Sequence, residues 1–265
     1  MLDSLLELKL SDILGPAVAA ASALVAVGCV LVNARWKERE HSTAARDDFQ
    51  RTVEALVDLR QERERVRREL GDEWGLSRYA TTRVALNEKR ELLIAKARLL
   101  LEKYRIDVSD IGYVVVGGAI DDAGRPAEAV EFYRRAVSLA ATPFAHAMAQ
   151  RPLGRAMILS GQRDAGRRTL LEAADALGRL SRQPGLDADA MRAERAETLR
   201  SLIWAQINAG QDAAPEDFPA LVEGIATAHE PSHRRPLDEA EQEIREALEK
   251  GRQQGGRTVA NSCLP

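Results

Sequence analysis

Cysteine, lysine and aromatic side chains are all scarce in this chain of 265 residues. Two cysteines, Cys29 and Cys263, are too few for a disulfide framework or a cysteine-based zinc site. Aromatics make up 4%, with 18 Gly and 10 Pro, which is poor material for a β-sandwich or barrel rich in turns. Only six of the 38 basic residues are lysines, a bias expected of a GC-rich, bacterial genome. The net charge of −3 supplies no basic field for nucleic acid. What is abundant is 45% hydrophobic and 30% charged residues, enough for a sizeable core and against bulk disorder.

Catalytic signatures are missing too. There is no G-x-S-x-G, no P-loop and no C-x-x-C, and Gly117-Gly118 lacks the G-x-G-x-x-G spacing of a dinucleotide fingerprint. His229-Glu230-Pro231-Ser232-His233 matches H-E-x-x-H on letters. A zinc protease needs both histidines one turn apart on a helix, and Pro231 removes a donor inside that turn. His41 and His146 stand alone, without a nucleophile partner by spacing. The expectation is a protein with no catalytic residue, no metal and no cofactor.

Charge is also absent from Ile13 to Ala34, 22 residues rich in Ala, Val and Leu, bracketed by Asp12 and Arg35. As a helix this run is about 33 Å long, against a bilayer core of about 30 Å. It predicts a transmembrane helix over 13–34 after a tail at 1–12. The tail holds Lys9 against Asp3, Glu7 and Asp12, unlike the basic start of a cleaved secretory signal. Arg35, Lys37, Arg39 and Arg46 come after the run, so the positive-inside rule predicts a single-pass protein of the cell membrane with its C-terminal domain in the cytoplasm. The alternative is an outward-facing lipoprotein. Val25-Ala26-Val27-Gly28-Cys29 is similar to a bacterial lipobox, although apolar Val30-Leu31-Val32 succeeds Cys29 where such proteins turn polar.

Residues 35–75 read as a charged, amphipathic helical stalk. Its Phe49, Val53, Leu56, Leu59, Val66 and Leu70 recur at steps of three and four, with one longer gap. A short coiled coil and a homo-oligomer through this seam are one expectation, and a helix packed on its own domain is the other. Glu62, Glu64 and Glu69 balance the arginines of 60–70, and no aromatics interleave, so nucleic acid is not the predicted partner. After the break at Gly71–Gly75, a helix from about Leu76 to Arg105 looks apolar around much of its circumference. Its segment, 76–109, reads as an N-terminal cap for the repeats that begin at 110.

From 110 the chain repeats. Tyr113, Val116-Gly117 and Ile120 precede Gly124; Ala129, Tyr133 and Ala136 come after it, and Pro143 closes the unit. Leu153-Gly154, Met157, Gly161, Leu170 and Ala173 return 37 residues on, with Gln150 at the aromatic place and Gly166 at an alanine place. A third, degenerate copy over about 196–229 keeps Leu199, Leu202, Ile203 and Gly210. The pattern resembles the tetratricopeptide repeat (TPR), a helix pair of about 34 residues patterned W-x2-L-G-x2-Y…A-x3-F…P. The resemblance implies an all-α chain in which TPR-like helix pairs form a short α-solenoid over 110–230. Tyr113, Gly117, Ala129, Tyr133, Ala136 and Gly154 would be its packing residues. It also implies a binding module that receives another protein or peptide in a helical groove. In this register Val114, Gly118, Asp121, Arg151, Arg155 and Ile158 face the groove, and Arg151 and Arg155 stand one turn apart, either to clamp a carboxylate or as solvated surface. Residues 231–265 are expected to hold an acidic helix and a disordered tail. The function expected is a membrane-anchored interaction scaffold, or else a structural membrane protein that self-associates through the stalk.

Overall fold

The computed structural model describes residues 41–104, 106–210, 221–223, 225, 242 and 246. Among these every regular element is helical, as the composition requires. Helix α1 covers residues 41–70. Two 3-10 turns, Gly71–Gly75 and Ser77–Tyr79, lead into α2 (Ala80–Tyr104). Then come α3 (Asp110–Asp122), α4 (Pro126–Leu139), α5 (Pro143–Leu159), α6 (Arg163–Leu180) and α7 (Ala188–Asn208). Residues 221–223 are helical again. No helix among the described residues is long and apolar enough to cross a membrane. The span predicted at 13–34, Cys29 and the H-E-x-x-H letters at 229–233 all lie outside the described residues.

The described residues divide into two compact units, one holding 41–51 and 98–107, the other 52–97 and everything from 108. In the smaller unit Ala45, Phe49, Leu100 and Ile106 are buried. The larger unit holds the repeat, and local chemistry sets its boundaries. Ser109 caps α3 by accepting from the Gly112 N–H at 3.3 Å, and Thr142 caps α5 by accepting from Ala145 at 3.1 Å. Pro126 and Pro143 open α4 and α5 in the first turn, where a missing N–H is harmless.

The ends of α3 and α5 are built alike. Gly124 and Gly161 both take positive φ, +78° and +91°, which turns the chain out of the helix. The next N–H groups reach back to equivalent carbonyls, Arg125 to Ile120 at 3.2 Å and Gln162 to Met157 at 2.8 Å. These three positions, each recurring 37 residues on, are the sequence repeat seen at the level of hydrogen bonds. Within each pair the helices cross at a glycine. A Cβ on Gly117 would lie 2.9 Å from the Tyr133 ring, and one on Gly154 would lie 2.6 Å from Leu170 Cγ. Helix α5 also touches both α3 and α7, so the first helices of successive pairs lie side by side. Leu199 and Ile203 of α7 share a core with Leu221 and Ile225.

One expectation changes. Helix α2 is not buried on more than one side: Ile94, Ala97 and Leu100 are inside, while Leu92 and Leu99 are 72% and 58% exposed. The apolar residues from 92 to 101 succeed one another too closely in sequence to share one helical face. Of the two readings of the stalk, the helix packed on its own domain fits residues 52–70, which belong to the same unit as the repeats. Its seam residues Val53, Leu56 and Leu59 are buried. Ion pairs from Arg60 to Asp122 at 3.7 Å and from Lys89 to Glu62 at 3.6 Å tie α1 to α3 and to α2.

Candidate partner-binding surface

Helices α3 and α5 position the six residues expected in the groove, and the structure spreads them over different environments. The Asp121 side chain, near the end of α3, is only 6% exposed, and its carboxylate accepts from Arg155 of α5 at 2.5 Å. Burial alone pulls the Arg155 guanidinium down, but the Asp121 charge and hydrogen bond outweigh it and hold the group above its ordinary value. Arg151, one turn earlier, donates to Glu194 of α7 at 2.6 Å. The two arginines therefore reach in opposite directions, one to the preceding pair and one to the next. They staple α3, α5 and α7 together, and neither guanidinium is held open as a carboxylate clamp.

Ile158 is 1% exposed and packs with Leu170, Leu202 and Ala205, so it lies in the core and presents no groove surface. The reason is its place one turn after Gly154, on the face that meets Gly166 of α6. Val114 lines a cavity shared with α1 and α2. Gly118 lies under the Tyr133 hydroxyl, at ordinary contact distance. Tyr133 itself is 1% exposed. Burial pushes its phenol well above the usual tyrosine range, and the nearby Asp121 charge adds to that. The other packing residues, Ala129, Ala136 and Gly154, are buried, and Tyr113 is half-buried with its ring 6.4 Å from Phe132.

Spacing alone did not reveal two further features. The first is a cleft of about 440 Å³ between the end of α6 and the start of α7. Arg179, Arg182, Arg192 and Arg195 line it, with Asp175 and Glu223. Arg192 pairs with Asp189 at 3.4 Å. Among the described residues no carboxylate lies within ion-pair distance of Arg179, Arg182 or Arg195, and the Arg195 stem lies across Gly178 at 3.5 Å. The second is the cavity under Val114, about 240 Å³, enclosed by α1, α2 and α3. The sequence signal for the cleft was available: basic residues at 179, 182, 192 and 195 flank a Gly/Pro break at 184–185. The signal for the cavity was not, since it depends on α1 folding back. Among the described residues, no group of three or more His, Cys, Asp or Glu side chains converges to hold a metal.

Compared with known proteins, the chain matches no family model, no curated protein and no solved structure.

Proposed function

We propose that this chain is a membrane-anchored protein–protein interaction scaffold, held in the cell membrane through 13–34, whose TPR-like helix pairs bind another protein on the cytoplasmic side and perform no catalysis. The observation that carries this reading is the 37-residue repeat itself. Equivalent glycines at 117 and 154 and equivalent helix ends at 124 and 161 recur, with first helices laid side by side. Repeats of this kind build an extended surface from units that cannot bury their faces alone. Since Arg151 and Arg155 are engaged, the cluster of cations offered to a partner here is that of the cleft, Arg179, Arg182 and Arg195. They fit an acidic segment, whose carboxylates guanidinium groups hold in paired hydrogen bonds.

Two measurements test this in intact cells. Protection of a C-terminal tag from external protease until the membrane is opened is the expected topology. Digestion without opening would reverse it and favour acylation at Cys29. A photoreactive residue at position 183 should crosslink a second protein, and the adduct should vanish in Arg179→Glu/Arg182→Glu. Adducts with the chain itself alone would favour self-association, and adducts that survive the charge reversal would remove the cleft from the reading.

A further inference from the structure

The cavity of α1, α2 and α3 is lined by two chemically distinct sets of side chains. Its body is apolar, lined by Leu56, Leu59, Leu86, Val114, Val115 and Ala119. Its polar residues include three guanidinium groups, Arg60, Arg63 and Arg90, and one carboxylate, Asp122. The single acid is already shared. Arg60 pairs with its side chain at 3.7 Å, and Arg90 donates to its backbone carbonyl at 2.8 Å. Half-buried Arg63 has no carboxylate within ion-pair distance among the described residues. Arg90 Nε is buried without a hydrogen-bond partner. Burial and then the charge of Arg63 lower the Arg90 pKa by more than Asp122 and Glu91 raise it, so the two cations stand close enough to repel. An unpaired buried donor and neighbouring like charges both cost stability unless something supplies an acceptor and further negative charge.

We propose that this cavity binds a small amphipathic anion, a single carboxylate on an apolar body, with the head between Arg63 and Arg90 and the body against Leu56, Leu86 and Val115. The volume suits this class. A dry apolar cavity of about 150 Å³ holds benzene, so about 240 Å³ accommodates an aromatic ring or a short alkyl chain with its head group. Charge complementarity selects the head: three cations against one shared carboxylate leave room for one more negative charge. Arginine favours a carboxylate, which accepts two parallel N–H bonds. Because α1 and α2 form two of the three walls, an occupant would also fasten them to the first helix pair.

The test uses the purified full chain in lipid nanodiscs, titrated calorimetrically with 4-phenylbutyrate and with its uncharged amide. The acid should bind with a dissociation constant of roughly 0.1–1 mM, the range open to about a dozen heavy atoms. The amide should bind at least tenfold more weakly. Arg63→Gln, at a half-buried position, should bring the acid down to the level of the amide. Val115→Phe should abolish binding of both by filling the cavity. If Val115→Phe fails to melt cooperatively, Ala119→Leu replaces it. Equal affinity for acid and amide, no binding of either, or acid binding that survives the filled cavity would each overturn the proposal.

Discussion

The pair α3/α4 and the pair α5/α6 share one spacing but solve the same packing problem differently. In the first, Gly117 faces the flat ring of Tyr133, which a Cβ there would meet at 2.9 Å, and Ala129 is buried on the second helix. In the second, Leu170 replaces the tyrosine and Gly166 the alanine. There the two backbones meet: a Cβ on Gly166 would lie 2.5 Å from the Gly154 carbonyl oxygen and 2.8 Å from the Ile158 nitrogen. A large planar residue holds one pair apart, and two glycines let the other close to backbone contact. The lesson is that this repeat keeps the geometry of the turn, through Gly124 and Gly161, more strictly than the identity of what fills the crossing.

The largest effect expected from breaking this comparison is at Gly166. In Gly166→Ala the new methyl meets backbone on α5, which cannot rotate away, so the helices must separate. Overpacking costs about 1–3 kcal/mol, occasionally more, and a clash with backbone belongs at the top of that range. The usual gain of up to ~1 kcal/mol from replacing a helical glycine does not offset it. Thermal melting of the full chain checks this, and a variant as stable as the parent would mean that the pair is less tightly closed than these distances imply.

A second contrast lies at one repeat position. Asp121 of α3 and Ile158 of α5 stand 37 residues apart, and both are inside, at 6% and 1% exposure. The first copy places a carboxylate there and needs Arg155 to satisfy it; the second places an alkyl chain and needs nothing. Asp121→Asn leaves the Arg155 guanidinium without its counter-charge and should cost about 2 kcal/mol. That is below the roughly 3–5 kcal/mol typical of a fully buried pair, because Arg155 is itself 37% exposed. The double change Asp121→Ile/Arg155→Met, which makes the first copy resemble the second, should recover most of the loss in a denaturant titration. If the double variant is no better than Asp121→Asn, the ion pair contributes more than the satisfaction of a buried charge.

These contrasts also mark what could be read beforehand. All-α architecture, the helix ends at Gly124 and Gly161 and the crossing residues Gly117, Gly154 and Tyr133 were legible, because turn chemistry and small-residue spacing are local properties of the chain. The placement of Ile158 in a groove was not sound, since helical periodicity alone does not say which face meets a neighbour. The partners of Arg151 and Arg155 were illegible for a related reason: Glu194 and Asp121 lie 43 and 34 residues away. Arg63 interrupts the apolar seam of α1 in sequence, and in the structure it lines a cavity. A charged residue inside a seam marked a position where burial was incomplete, though spacing could not say what filled it.

Only the first pair carries a titratable group at its crossing, so alkaline pH should separate the two. The Tyr133 phenol is raised in the folded state, so above about pH 10 the unfolded chain loses a proton that the folded chain keeps. Stability contributed by this group is complete below about pH 10 and falls as pH rises beyond it, by at most about 1.4 kcal/mol per pH unit. Melting temperatures at about pH 9 and about pH 11, either side of the ordinary phenol value, should therefore diverge more for the parent than for Tyr133→Phe. Parallel decline in both would assign the alkaline loss to other groups.

The smallest effect, and the sharpest local control, comes from adjacent glycines on α3. Gly117 and Gly118 have the same helical backbone and the same gain in propensity on becoming alanine. They differ in what the methyl would touch. At Gly117 it meets the Tyr133 ring at 2.9 Å and Phe132 Cβ at 3.2 Å, so the ring must shift and the propensity gain is cancelled. At Gly118 the nearest atoms are the Tyr133 hydroxyl at 3.8 Å and an Arg60 nitrogen at 3.9 Å, which is ordinary contact. Gly118→Ala should thus stabilise the protein by about 0.5–1 kcal/mol, while Gly117→Ala should destabilise it by about 1 kcal/mol, the low end for overpacking against a side chain that can move. Because the two changes are chemically identical and one residue apart, propensity cancels between them, and the difference in melting measures the crossing alone. Equal shifts would show that the Tyr133 ring yields freely and that the close approach at Gly117 does not hold the first pair together.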